Sequence, residues 1–181
     1  EELKINWRNN SNNRQDFTLN GKLPYLFNSK ISIETSLNLF RNDSTFTNTS
    51  LKTTLKYPVR ENTNLAVLYK YENSTNNTNQ NNILSYNKKM IGFGFDYNAF
   101  NKNSFQIGFD ILYGTRKADT KSNQYQFSLE TEGIIKTSSL TEVYLKSKSS
   151  FLFSESYLEN ELFREGGTNS IRGFIEQSIF T

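Results

Sequence analysis

The sequence predicts an all-β fold, a partial antiparallel transmembrane β-barrel, on three observations: a polar yet aromatic-rich composition, apolar residues at every second position, and no long apolar run. Only 35% of the 181 residues are apolar, too few for a well-packed soluble core, yet 14% are aromatic, with ten Tyr and fifteen Phe. Disordered chains are depleted in aromatics, so low hydrophobicity here does not signal disorder. A barrel reconciles the two, because half of each strand faces lipid and the other half faces a wet interior. No run of eighteen apolar residues exists to make a membrane-spanning helix.

Alternation marks nine candidate strands. In the first, Leu3, Ile5 and Trp7 oppose Lys4, Asn6 and Arg8. The second carries Phe17, Leu19, Leu23 and Tyr25, the third Ile31, Ile33, Leu37 and Leu39, and the fourth Leu51, Leu55 and Tyr57. Leu65, Val67, Tyr69 and Tyr71 form the fifth stripe. The sixth and seventh are the clearest, with Ile91, Phe93, Phe95 and Tyr97, then Phe105, Ile107, Phe109, Ile111 and Tyr113. Tyr125, Phe127 and Leu129 make the eighth, and Val143, Leu145, Phe151 and Phe153 the ninth.

Every stripe falls on odd numbers, so paired residues should share parity and the intervening turns should hold an odd number of residues, barring bulges. Short connections are expected at 28–30, 60–63, 99–103 and 136–139, and longer ones at 10–16, 74–87 and 114–123, with 41–45 short for its side, as in outer-membrane barrels whose turns face the periplasm. Tyr57, Tyr71, Tyr97 and Tyr113 lie near stripe ends, where an interfacial girdle would place them. Strands of this length cross hydrocarbon when tilted, and only a closed barrel pairs every backbone group there. Nine strands with two bare edges imply further strands. The competing fold is a soluble β-sandwich or open sheet, which nine Gly and two Pro punctuate poorly.

Chemistry is narrowed by what is missing. Without Cys or His there is no disulfide, thiol nucleophile, Ser-His-Asp triad or helical zinc motif, so no enzyme and no cofactor is expected. A net charge of +3 spread over many strands argues against nucleic acid as a partner. The even-numbered Lys22, Lys70, Asp96, Asp110, Glu130, Glu132, Glu142, Lys146 and Lys148 contain carboxylates that a glycosidase would need, but alternation already predicts such a mixed lumen lining. The Asn-rich 73–87 segment reads as a solvated loop. The chain opens Glu1-Glu2-Leu3, with neither Met nor a leader, so a signal peptide is expected outside this sequence.

After Phe153 the alternation stops. Gly166-Gly167 allow a sharp reversal, and Arg172 lies among Ile171, Gly173 and Phe174, a cation that inside a lumen would seek a carboxylate. The run Phe163-Arg164-Glu165-Gly166-Gly167-Thr168-Asn169-Ser170-Ile171-Arg172-Gly173-Phe174 resembles the signature of the BamA/TamA superfamily of outer-membrane insertases and translocases, the surface-antigen-type barrels with an Arg-Gly-Phe loop motif. The match covers about twelve residues; elsewhere the likeness is architectural.

That resemblance implies a division of the chain. Residues 1–153 would hold the family's strands three to eleven, 154–176 a long extracellular loop folded back into the lumen, and 177–181 the start of the next strand, about ten strands of an expected sixteen. Gly166, Gly167, Ile171, Arg172, Gly173 and Phe174 would anchor the loop in the lumen. It further implies a Gram-negative outer-membrane location and a role in protein assembly, insertion or transport. The implied partners are outer-membrane lipids, client β-barrel proteins or a secreted passenger, periplasmic POTRA domains and accessory lipoproteins. A two-partner secretion transporter or passive pore, and a soluble β-sheet binding module, are the alternatives.

Overall fold

The structure, a computed structural model, describes residues 1–10, 14–43, 45–78, 83–100, 104–165 and 179–180. It is all-β. Nine antiparallel strands form one sheet in sequence order: β1 (Glu2–Asn10), β2 (Arg14–Leu23), β3 (Ser32–Asn42), β4 (Phe46–Arg60), β5 (Thr63–Asn76), β6 (Tyr86–Phe100), β7 (Ser104–Lys117), β8 (Lys121–Lys136) and β9 (Glu142–Ser154). Each carries one of the nine predicted stripes, except that Tyr25 lies beyond the end of β2 and Ile31 just before the start of β3. The sheet is not closed: among the described residues, β1 pairs only with β2 and β9 only with β8.

The register keeps odd opposite odd through every ladder, as in Leu19↔Leu37, Val67↔Phe93, Phe93↔Ile111 and Phe127↔Phe151. One exception falls where the two-residue turn 61–62 breaks the odd-length rule, and a register shift between Pro58 and Arg60 absorbs the extra residue. Pro58, which has no N–H to donate, lies beyond the last β3–β4 pair, Ser32↔Lys56, so that no ladder bond to β3 is lost.

Shared parity divides the sheet into two faces. Phe93 is 73% and Ile91 61% exposed, whereas Leu68 and Leu112 on the even face are each 1% exposed. The odd face carries the large exposed apolar side chains; the even face carries a small cluster of Ala66, Leu68, Met90 and Leu112 surrounded by charged and amide groups. Pairs on the odd face stack along neighbouring strands, Phe109 on Phe127 with centroids 5.0 Å apart and Tyr113 on Tyr125 at 4.9 Å.

The even face is concave. Lys56 of β4 reaches Asp96 of β6 at 2.9 Å, Lys52 of β4 reaches Asp110 of β7 at 2.8 Å, and Lys70 of β5 donates to Gln126 of β8 at 3.0 Å. Side chains two and three strands apart meet only when the sheet curls towards them. Glycine permits the close approach of β6 and β7: a Cβ on Gly92 would lie 1.9 Å from the Ile111 carbonyl oxygen, and one on Gly114 would lie 2.0 Å from that of Lys89.

Two expectations are corrected. Tyr25 does not continue the second stripe: β2 ends at Leu23, before Pro24, and Tyr25 sits at φ 58° leading into a short 3-10 turn, Leu26–Asn28. Nor do the connections alternate in length as expected. Arg116↔Ser122 and Lys117↔Lys121 extend the β7–β8 ladder until only 118–120 remain, while 24–31, expected to be short, spans the 3-10 turn. The connection between Asn76 and Tyr86 is the one long segment where a long one was expected. Polar side chains do not stop a ladder, because the paired groups are backbone.

Candidate functional site: a polar strap on the concave face

Beyond β9 the chain turns onto the concave face. Residues 155–165 cross it as a strap, through a 3-10 turn at Glu159–Glu161, to β10 (Arg164–Glu165), which pairs with β11 (Ile179–Phe180) rather than with the large sheet. The ladder ends at Gln124↔Ser154, where the alternation also stops, and the Tyr157 hydroxyl folds back to accept from Ser154 N at 3.3 Å and donate to the Leu152 carbonyl at 3.1 Å.

Successive strap residues engage six consecutive strands. Ser156 accepts from Arg116 of β7 twice, its carbonyl at 3.1 Å from Nη1 and its hydroxyl at 2.7 Å from Nη2. Asn160 donates to the Ser74 hydroxyl of β5 at 2.6 Å and to the Leu84 carbonyl at 2.9 Å, while its own carbonyl accepts from Asn48 of β4 at 2.7 Å. Arg164 lies over the Phe40 ring of β3, 3.7 Å from its centroid. Phe40 in turn packs with Phe46 and Ile83 in a small buried cluster.

At the centre is Glu161, its side chain fully buried. One carboxylate oxygen is 2.5 Å from Arg116 Nη1. The other is 3.1 Å from Lys88 Nζ of β6 and accepts from Gln124 Nε2 of β8 at 2.6 Å. Lys88 also pairs with Glu72 of β5 at 2.8 Å, and Glu72 with Lys70 at 2.9 Å. A carboxylate removed from water needs this density of donors, because desolvating an ion costs several kcal/mol unless its lone pairs are met.

Arg164, outside the large sheet, has its guanidinium pKa lowered by burial, against the opposing pull of Tyr86, Glu72 and Asp16. An arginine retains its charge under such a shift, so the contact with Phe40 is a cation over an aromatic face.

Away from the strap, the predicted interior charges form further pairs. Asp96 and Glu34 share Lys56, with Lys22 on the second oxygen of Glu34, and Asp110 binds Lys52. Glu130 and Glu132 meet Lys146 at 3.2 Å each near the exposed β9 edge, Glu142 meets Lys136 at 3.2 Å, and Lys148 stands opposite Glu130 in register. Between these pairs and the strap lies an open cavity of about 450 Å³, reaching from Lys52 and Asp110 to Phe163. Among the described residues no group of three acidic side chains gathers that would hold a metal ion.

The predicted anchor residues Gly166, Gly167, Ile171, Arg172, Gly173 and Phe174 lie outside the described residues. The groups that hold the strap were not singled out in sequence: Glu161, Asn160, Lys88, Arg116 and Gln124. Even parity on β6, β7 and β8 identifies the last three as interior groups, but nothing in the spacing of 155–165 distinguishes Glu161 from Glu155 or Glu159, both exposed. Compared with protein-family models and with curated proteins, the sequence matches neither a family model nor a curated relative.

Proposed function

We propose that this chain is the barrel portion of a Gram-negative outer-membrane protein that assembles or translocates other proteins. The odd, apolar face meets lipid, the concave even face lines a wet lumen, and the strap leads a lumen-bracing loop that carries Arg172. The observation that carries this reading is that residues 155–165, which precede the Gly166–Phe174 run, lie on the charged concave face while the opposite face presents rows of aromatic and aliphatic side chains. In lipid the free edges of β1 and β9 require closure by further strands, and a seam between such edges is where a client strand would add by main-chain pairing. The partners are then outer-membrane lipids and client β-barrel proteins or a secreted passenger, with periplasmic POTRA domains and accessory lipoproteins as further components.

The test is reconstitution of the full chain into liposomes with an unfolded β-barrel client, read as protease-protected, heat-modifiable client. Faster insertion than in empty liposomes is expected, and Arg172→Ala should slow it while leaving strand content intact. Recovery of the chain from the aqueous phase without detergent would refute the membrane reading.

A passive pore or two-partner secretion transporter is the second reading, favoured by the open, charge-lined cavity between strap and wall. Steady conductance in a planar bilayer with no effect on client insertion would favour it.

A further inference from the structure

Glu161 is the strap's one buried carboxylate among the described residues, and it is shared by three strands: β6 through Lys88, β7 through Arg116 and β8 through Gln124. The wall groups are unequal in what else they hold. Lys88 keeps Glu72 as a second counter-ion, whereas Arg116 otherwise bonds to Ser156, itself in the strap. Arg116 Nε is buried without a hydrogen-bond partner among the described residues, as is Gln124 Oε1. The strap supplies the counter-ion and both oxygen acceptors of the Arg116 Nη groups, so that without it this guanidinium would lose them all.

A polar seat of this kind differs from a core contact. Buried ion pairs add little net stability over an apolar equivalent, in some proteins they fix a single register, and both halves regain water when they part. Glu161 stands three residues before Arg164 in the sequence, so its register sets where Arg164 meets the Phe40 ring.

We infer that Glu161 is a positioning residue, a releasable pin that holds strap 155–165 on the concave wall by binding Arg116, Lys88 and Gln124 together. This rests on the proposed lumen but adds to it, since the pin is a carboxylate on the strap and its cations are on the wall. Releasing the pin uncovers the wall without unfolding the sheet.

The chain has no cysteine, so Leu162→Cys supplies a single thiol beside the pin. In the full chain, Glu161→Gln should raise the maleimide labelling rate of that thiol at least about tenfold, the signature of local opening, and slow client insertion. Glu161→Asp should restore part of both, and the heat-modified mobility of the barrel should persist. If the lone charge on Arg116 unfolds Glu161→Gln, the double variant Arg116→Gln/Glu161→Gln, which leaves no unmatched arginine, must show the same labelling. Unchanged labelling in the folded variants overturns the inference, even where the chain enters vesicles and inserts clients. Failure to enter vesicles overturns the membrane reading instead, and the labelling comparison then decides the pin in solution.

Discussion

Arg116 on β7 and Glu161 on the strap meet at 2.5 Å with both side chains buried, and the same arginine grips the backbone and hydroxyl of Ser156. One residue thus ties two points of the strap to one strand. Removing one partner of such a pair leaves an uncompensated charge, which costs about 3–5 kcal/mol, whereas replacing both by apolar groups is often neutral. Lys88 and Gln124 stay on Glu161 in Arg116→Ala, so its unfolding free energy in urea should fall by about 3 kcal/mol, the lower end of that range. Arg116→Met/Glu161→Leu should recover most of that loss. A loss in the double variant equal to the sum of the losses in Arg116→Met and Glu161→Leu alone would show that the two side chains are not energetically coupled.

Glycine substitutions should separate close approach from open space. A Cβ at Gly114 would press on the Lys89 carbonyl and on Met90 Cα, both backbone and unable to swing aside, while at Gly21 nothing lies within 4 Å. Gly114→Ala should destabilise by about 1–3 kcal/mol or more, the usual cost of overpacking. Gly21→Ala should be neutral or slightly stabilising, since alanine reduces the freedom of the unfolded chain. Heat-modifiability midpoints on gels measure both. A tolerant Gly114 would mean that β6 and β7 do not approach this closely.

The strands were readable because alternation is a direct image of two unlike environments. Ile91, Phe93 and Phe95 against Gly92, Gly94 and Asp96 admit no other regular backbone, and parity restricts Phe93 to an odd-numbered partner on β7, which is Ile111. Ladder ends were less readable. Lys117↔Lys121 pairs through backbone bonds to which side-chain polarity is nearly irrelevant, while the end of β2 was set by Pro24 rather than by the stripe that includes Tyr25. The curl of the sheet was legible only in part, since Gly92 and Gly114 are visible in sequence but the carbonyls they admit are not. Of the strap, its departure from the sheet could be read from the loss of period two after Phe153. Its seat could not, because the Glu161–Lys88 contact joins residues 73 apart in the chain and no local pattern encodes it.

The far end of the strap should be held by an aromatic face rather than by a charge. Arg164 lies 3.7 Å from the Phe40 centroid, and a partly desolvated cation–π contact is worth about 0.5–2 kcal/mol. Phe40→Leu keeps most of the apolar contact with Phe46 while removing the ring, so it should increase proteolysis within 155–165 severalfold and leave β-sheet content unchanged by circular dichroism. Phe40→Tyr should behave like the parent. If Leu and Tyr protect the strap equally, packing and not the ring quadrupole is what Arg164 uses.

Outward positions offer the sharpest distinction between lipid and water. Phe93 is mid-strand in β6, odd-numbered and 73% exposed, so on a soluble sheet Phe93→Lys would place an ammonium in water and change stability by about 0.5 kcal/mol or less. In a bilayer the same side chain would sit near the hydrocarbon midplane, where lysine costs about 2–4 kcal/mol in a transmembrane barrel. Lys at Arg60, beside the 61–62 turn, should be nearly silent in either medium, since it replaces one exposed cation by another. Folding into lipid vesicles at graded urea, compared for the parent, Phe93→Lys and Arg60→Lys, reads the difference directly. A loss of several kcal/mol at residue 93 alone supports lipid against the odd face, and indifference at both positions would place that face in water.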